Sequence, residues 1–168
     1  PAKIRPVGKN QFDACIRVIN ESFLTVANDF NLTRENAPTN GAFIDAERLE
    51  SESGRGDEMY GLFENERLIG FVSLSGEPPG GASSPEKIFK LKHLAVLPEY
   101  RHRGYGKTLV DFICTRAKAL GGKKLQIGLI DENTVLKNWY LRYGFVQTET
   151  RKFSHLPFTV CFMEKPIE

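Results

Sequence analysis

Arg101, His102, Arg103, Gly104, Tyr105, Gly106, Lys107 and Thr108 form a basic turn with two glycines. An apolar run over residues 88–97 leads into it and stops at Pro98. After it, Leu109, Phe112, Ile113, Arg116, Ala117 and Leu120 recur at helical spacing, and Gly121-Gly122 ends the run. A strand, a glycine turn and a helix in this order build an anion pocket. The first N–H groups of a helix lack intrahelical partners and lie at the positive end of its dipole. Glycines carry no Cβ, so a phosphate can come close to those groups. Lys107 in the first turn opposes the dipole, a placement that a bound anion would offset.

Three phosphate-binding patterns compete for this turn. Gly106-Lys107-Thr108 has the ending of a nucleotide P-loop, but that motif needs a glycine where Arg101 stands. The dinucleotide fingerprint needs a third glycine where Leu109 stands. The pattern Arg/Gln-x-x-Gly-x-Gly/Ala is met in full by Arg101-His102-Arg103-Gly104-Tyr105-Gly106. With Leu94-Ala95-Val96-Leu97-Pro98-Glu99-Tyr100 before it, the stretch resembles the coenzyme A pyrophosphate loop of the GNAT N-acetyltransferase family.

A second constellation runs from Asn133 to Phe145. It is similar to that family's Asn-x-x-Ala-x-x-Leu-Tyr-x-x-x-Gly-Phe pattern, with Leu136 in place of Ala and Trp139 in place of Leu. Asn133 and Tyr140 are seven residues apart, so they share a helix face two turns apart. Gly144 suits a helix C-cap. The resemblance implies acetyl-CoA as co-substrate, with no metal. It implies that Arg101 to Thr108 cradle the pyrophosphate and that Asn133 bonds the pantetheine or phosphate end. Backbone amides of Leu94, Ala95 and Val96 are then expected to hold the pantetheine arm and the thioester carbonyl. Tyr140 is expected beside the sulfur as general acid, since an ordinary phenol stays protonated at neutral pH.

The base that takes the amine proton is not evident. Lys90 and Lys92 stand four and two residues before Leu94, where a cleft-facing base is expected. A charged lysine is a poor base. Strand alternation sends His93 to the face opposite Lys92, as a packed histidine. If Lys90 and Lys92 face the acceptor, that acceptor carries an anionic group.

The implied activity is acetyl transfer to a primary amine of a small molecule or an amino terminus. The alternative is a sensor or scaffold that holds acyl-CoA without turnover. The 168 residues suit one domain with a real core. Hydrophobic content of 40% and charged content of 26% are those of an ordinary globule. A net charge of +2 argues against a nucleic-acid partner. Cys15, Cys114 and Cys161 are far apart and form no ligand cluster, so a reduced, cytoplasmic protein is expected. No apolar run reaches ~18 residues, so no membrane span is expected, and no signal peptide is visible.

These residues require a scaffold of alternating elements. Residues 2–7 read as a strand. Helices are predicted over 11–27 and 43–53, with a polar loop over 28–41 between them. By the resemblance this region covers the acceptor, with Phe23, Asn28 and Phe30 shaping specificity. Residues 58–63 and 67–74 read as a hairpin, and 75–86 as a Gly/Pro-rich connection. A strand over 124–129, a helix over 133–143 and strands over 145–151 and 159–164 complete the chain. The order predicts an α/β fold: a mixed, mostly antiparallel sheet of about seven strands with helices on both faces. The apolar last strand, with Val160, Phe162 and Met163, could support a homodimer.

Overall fold

The structure is a computed structural model and describes residues 1–76 and 87–168. Its elements are β1 (Ala2–Pro6), α1 (Phe12–Asp29), α2 (Ala46–Gly54), β2 (Glu58–Glu64), β3 (Arg67–Ser75) and β4 (Ile88–Val96). Then come α3 (Tyr105–Ala119), β5 (Lys124–Ile130), α4 (Thr134–Tyr143), β6 (Val146–Lys152) and β7 (Thr159–Pro166). The seven strands form one sheet in the order β1-β2-β3-β4-β5-β7-β6. Every pairing is antiparallel except β4 with β5. The predicted mixed sheet is therefore present. Most of the predicted 75–86 connection lies outside the described residues.

Helices cover both faces. Tyr60 packs edge-on against Phe112 of α3, with ring centroids 4.7 Å apart, and Arg116 of α3 donates to Glu58 at 2.7 and 2.9 Å. Lys92 pairs with Ser73 in the sheet and reaches Glu52 of α2. Ser73 and Val72 point to opposite faces, and Val72 pairs with Tyr60, so α2 and α3 lie on opposite sides. Between the layers Phe71, Leu62, Ile69, Ile113, Leu125 and Met163 are fully buried. Each such side chain contributes roughly 1.5–3 kcal/mol relative to exposure.

The helix boundaries follow local caps. The second helix begins at Ala46, three residues later than predicted, because Asp45 Oδ1 accepts from Arg48 N at 3.1 Å. Phe43 and Ile44 are held instead in a turn on the Asn40 carbonyl. α1 runs two residues further than predicted, to Asp29. Leu120 is not core; it caps α3 and is 44% exposed. The polar segment after α1 is closed by reciprocal bonds between Thr33 and Asn36. It covers a second small core of Ala27, Leu32, Ala37, Ala42 and Ile130.

Two irregularities in β4 position the site. β4 pairs with β5 only at Ile88↔Lys124, Phe89↔Leu125 and Lys90↔Gln126; beyond Lys90 the two strands part. Against β3, Lys92 and Ala95 pair with Ser73 and Phe71, so His93 and Leu94 together oppose Val72 alone. This is a β-bulge, and His93 takes the left-handed conformation within it, at φ 53°.

Candidate active site

The parting of β4 and β5 opens a cleft of about 980 Å³. Leu94, Val96, Arg101, His102, Gly104, Tyr105, Gly106, Lys107, Asn133 and Tyr140 all line it. Ala95, Arg103 and Thr108 do not line it, and their polar side-chain and backbone groups are engaged within the fold. Ala95 is buried, with its carbonyl toward Gly70 of β3. The Arg103 guanidinium is drawn back to the Glu99 carbonyl, 3.3 Å away, and over the Tyr100 ring. The Thr108 hydroxyl donates to the Gly104 carbonyl at 3.0 Å.

The turn into α3 is made by Gly104 at φ 81°, a left-handed conformation that favours glycine. A Cβ at Gly104 would meet nothing within 4 Å; one at Gly106 would stand 3.5 Å from Trp139 Cζ2. The first backbone bond of the helix is Thr108 N to Gly104 O, and no side chain caps the end. The amides of Tyr105, Gly106 and Lys107 therefore lack helical partners. Lys107 is not an unbalanced cation: its Nζ lies 2.8 Å from Asp111 Oδ2. Arg101 donates to the Ser22 carbonyl at 2.7 Å and to Thr25 Oγ1 at 3.3 Å, tying α1 to the loop.

The parted edge of β4 carries donors too. Leu97 N bonds Ile69 O of β3, whereas Val96 N turns the other way and is held by Ser22 Oγ at 3.3 Å. By alternation the Leu94 amide turns toward the cleft with Val96. Ser22 has no motif around it, and its role was not legible in the sequence.

On α4, Asn133 Oδ1 accepts from Leu136 N at 3.2 Å. Asn133 is thus first the helix cap, and its side-chain nitrogen is left for a ligand. Tyr140 packs edge-on against Phe145 and Trp139, with centroids 5.3 and 5.0 Å apart. Its hydroxyl has no hydrogen-bond partner among the described residues. Ser73 Oγ is the one sealed, unpartnered side-chain oxygen or nitrogen among them, so the Tyr140 hydroxyl reaches the cleft. Burial pushes its phenol above the usual range and keeps it protonated at neutral pH.

Phe23 and Phe30 line the cleft, whereas Asn28 is exposed and does not. Lys90 is exposed and lines it. Lys92 also lines the cleft, but its Nζ is engaged, 3.1 Å from Glu52 and 3.0 Å from Asp57. His93 is expected on the face opposite Lys92; the bulge breaks strict alternation and brings His93 Nε2 within 2.8 Å of the same Glu52, under α2. Sequence reasoning missed Glu52. The available signal was its place four residues after Arg48 and three after buried Leu49.

The profile of the acetyltransferase (GNAT) family matches residues 22–145. The chain belongs to the GNAT acetyltransferase family. The matched span opens at Ser22 and closes at Phe145, so it contains the whole cleft rim of α1, β4, the loop and α4. Among solved structures, the GNAT chain is similar to the PaiA N-acetyltransferase of Thermoplasma acidophilum in complex with coenzyme A. The identity is 22%, the TM-score 0.74, and 99% of each chain is covered. It is similar to the ribosomal-protein-S18-alanine N-acetyltransferase of Escherichia coli, at 16% identity and TM-score 0.74, over 100% of this chain and 95% of that one. A GNAT acetyltransferase of Staphylococcus aureus Mu50 matches at 19% identity and TM-score 0.73 over 100% of both. At these identities the likeness concerns the fold. A comparison with curated protein sequences gives no match.

The residues of this GNAT loop fit a pyrophosphate. Three amides without helical partners and a glycine with open space above it line the cleft, together with Arg101 and Lys107.

Proposed function

We propose that this protein transfers an acetyl group from acetyl-CoA to a primary amine of a small molecule or an amino terminus. The observation that carries the reading is the meeting of two donor sets in one cleft. The first turn of α3, Tyr140 and the parted edge of β4 all line it. The donor supplies an activated acyl group; the chain supplies position and protons. Tyr105, Gly106 and Lys107 amides anchor the phosphates. The Leu94 amide, turned into the cleft, stabilises negative charge on the acyl oxygen as the amine attacks. Tyr140 gives its proton to the sulfur as the C–S bond breaks. Phe23 and Phe30 supply an apolar wall for the acceptor.

Isothermal titration tests the donor: coenzyme A binding in the micromolar range is expected, without ATP–magnesium binding. A thiol-release assay across an amine panel tests the transfer. Coenzyme A binding with no thiol release for any amine would favour a sensor over an enzyme.

A further inference from the structure

Glu52 is a carboxylate with no exposed surface. A charge there needs partners. Arg48 Nε and Lys92 Nζ each stand 3.1 Å from Oε2, and His93 Nε2 stands 2.8 Å from Oε1. Lys92 also reaches Asp57 at 3.0 Å. Glu52 and Asp57 thus face Lys92 and Arg48: two anions and two cations. The two cations balance the two anions. An ionised carboxylate only accepts hydrogen bonds, so Nε2 carries a hydrogen, and in the neutral ring Nδ1 is then the nitrogen with the lone pair. Nδ1 has no partner among the described residues and is not sealed, and His93 lines the cleft. His93 sits in the bulge of β4, in the left-handed conformation. Backbone in this rare region often marks function.

We propose that His93 Nδ1 accepts the proton of the acceptor amine and that Glu52 is the positioning residue that sets its tautomer. The inference rests on the transferase reading. As the N–C bond forms and the C–S bond breaks, the nitrogen loses a proton to Nδ1 and the sulfur gains one from Tyr140. Both groups are then restored by exchange with solvent through the open cleft. The charged groups around His93 are Glu52 and Arg48 from α2, Asp57 before β2 and Lys92 on β4; Lys90 and Tyr140 line the same cleft.

Two measurements on the full chain test this. Long-range ¹H–¹⁵N correlation with saturating coenzyme A should show His93 as the Nε2–H tautomer, and Glu52→Gln should mix the tautomers. An Nδ1–H tautomer in the wild type would overturn the assignment, whatever the activity. Kinetics with acetyl-CoA and 2-phenylethylamine give the second arm. His93→Gln should lower kcat/KM about 100-fold at pH 7, leave coenzyme A affinity unchanged and be partly rescued by added imidazole. Glu52→Gln should lose less than His93→Gln. Wild-type kcat/KM in His93→Gln, or a loss of activity matched by an equal loss of coenzyme A affinity, would overturn the role. Failure of the wild type to bind coenzyme A would sink the transferase reading itself, while the tautomer remains measurable.

Discussion

Tyr140 and the two loop glycines allow separate tests because each combines few roles. Tyr140→Phe keeps the ring contacts with Phe145 and Trp139 and removes only the hydroxyl. It should lower kcat/KM by about 100-fold or more in the thiol-release assay, with coenzyme A affinity unchanged by calorimetry. Gly104→Ala forces a Cβ into φ 81° and should cost about 1 kcal/mol or more, read as a lower melting temperature. Gly106→Ala meets Trp139 only at ordinary contact distance, so its stability should hold. Its methyl narrows the phosphate approach, and its effect should fall on coenzyme A affinity. At this scale the loop was legible, because glycine spacing reports a local backbone need. The partners of Lys92 and His93 were not, because the bulge reverses the direction that alternation dictates. Glu52 was missed for a related reason: apart from Arg48, the partners that make it part of the site come from β4, about forty residues away.

α2 shows how an element of nine residues becomes part of a site. Asp45 sets its start, Leu49 buries its inner face, and Glu52 follows one turn later against β4. Burial alone would raise the Glu52 pKa; His93 and then Lys92 outweigh it and hold the carboxyl at about 2 rather than 4.5. The folded value lies below the unfolded one. The stabilisation is therefore complete above about pH 4.5 and is lost as the pH falls toward about 2. Thermal melts across that window should show a falling midpoint in the wild type and a shallower fall in Glu52→Gln. The existence and order of the helices and strands were legible from periodicity. Their ends were not, since Asp45 and Asn133 act as caps through hydrogen bonds that no period reports.

Across the whole molecule, three residue pairs join the β1–β4 half of the sheet to the β5–β7–β6 half. Hydrogen exchange should reflect this. The Leu94 amide, turned into the parting, should exchange faster than that of Leu97, which bonds Ile69 O at 2.9 Å. Coenzyme A should slow Leu94 and leave Leu97 unchanged. Equal rates at both without ligand would contradict the parting. The mixed sheet was legible as an element count. The point at which its one parallel pair lets go was not, because Lys90 and Leu91 carry no residue type that marks it.

The parting also gives the sheet a third edge, inside its own span. Edges normally lie at the margins, where proteins blunt them against pairing with foreign chains. Here the inner edge is guarded by α1, through Ser22 on Val96 N and Arg101 on the Ser22 carbonyl. A helix that serves as one wall of the cleft is thus also the cover of a sticky seam. Loosening α1 to admit a larger amine would expose that seam, and a substrate range widened at this wall would come with a greater tendency to self-associate.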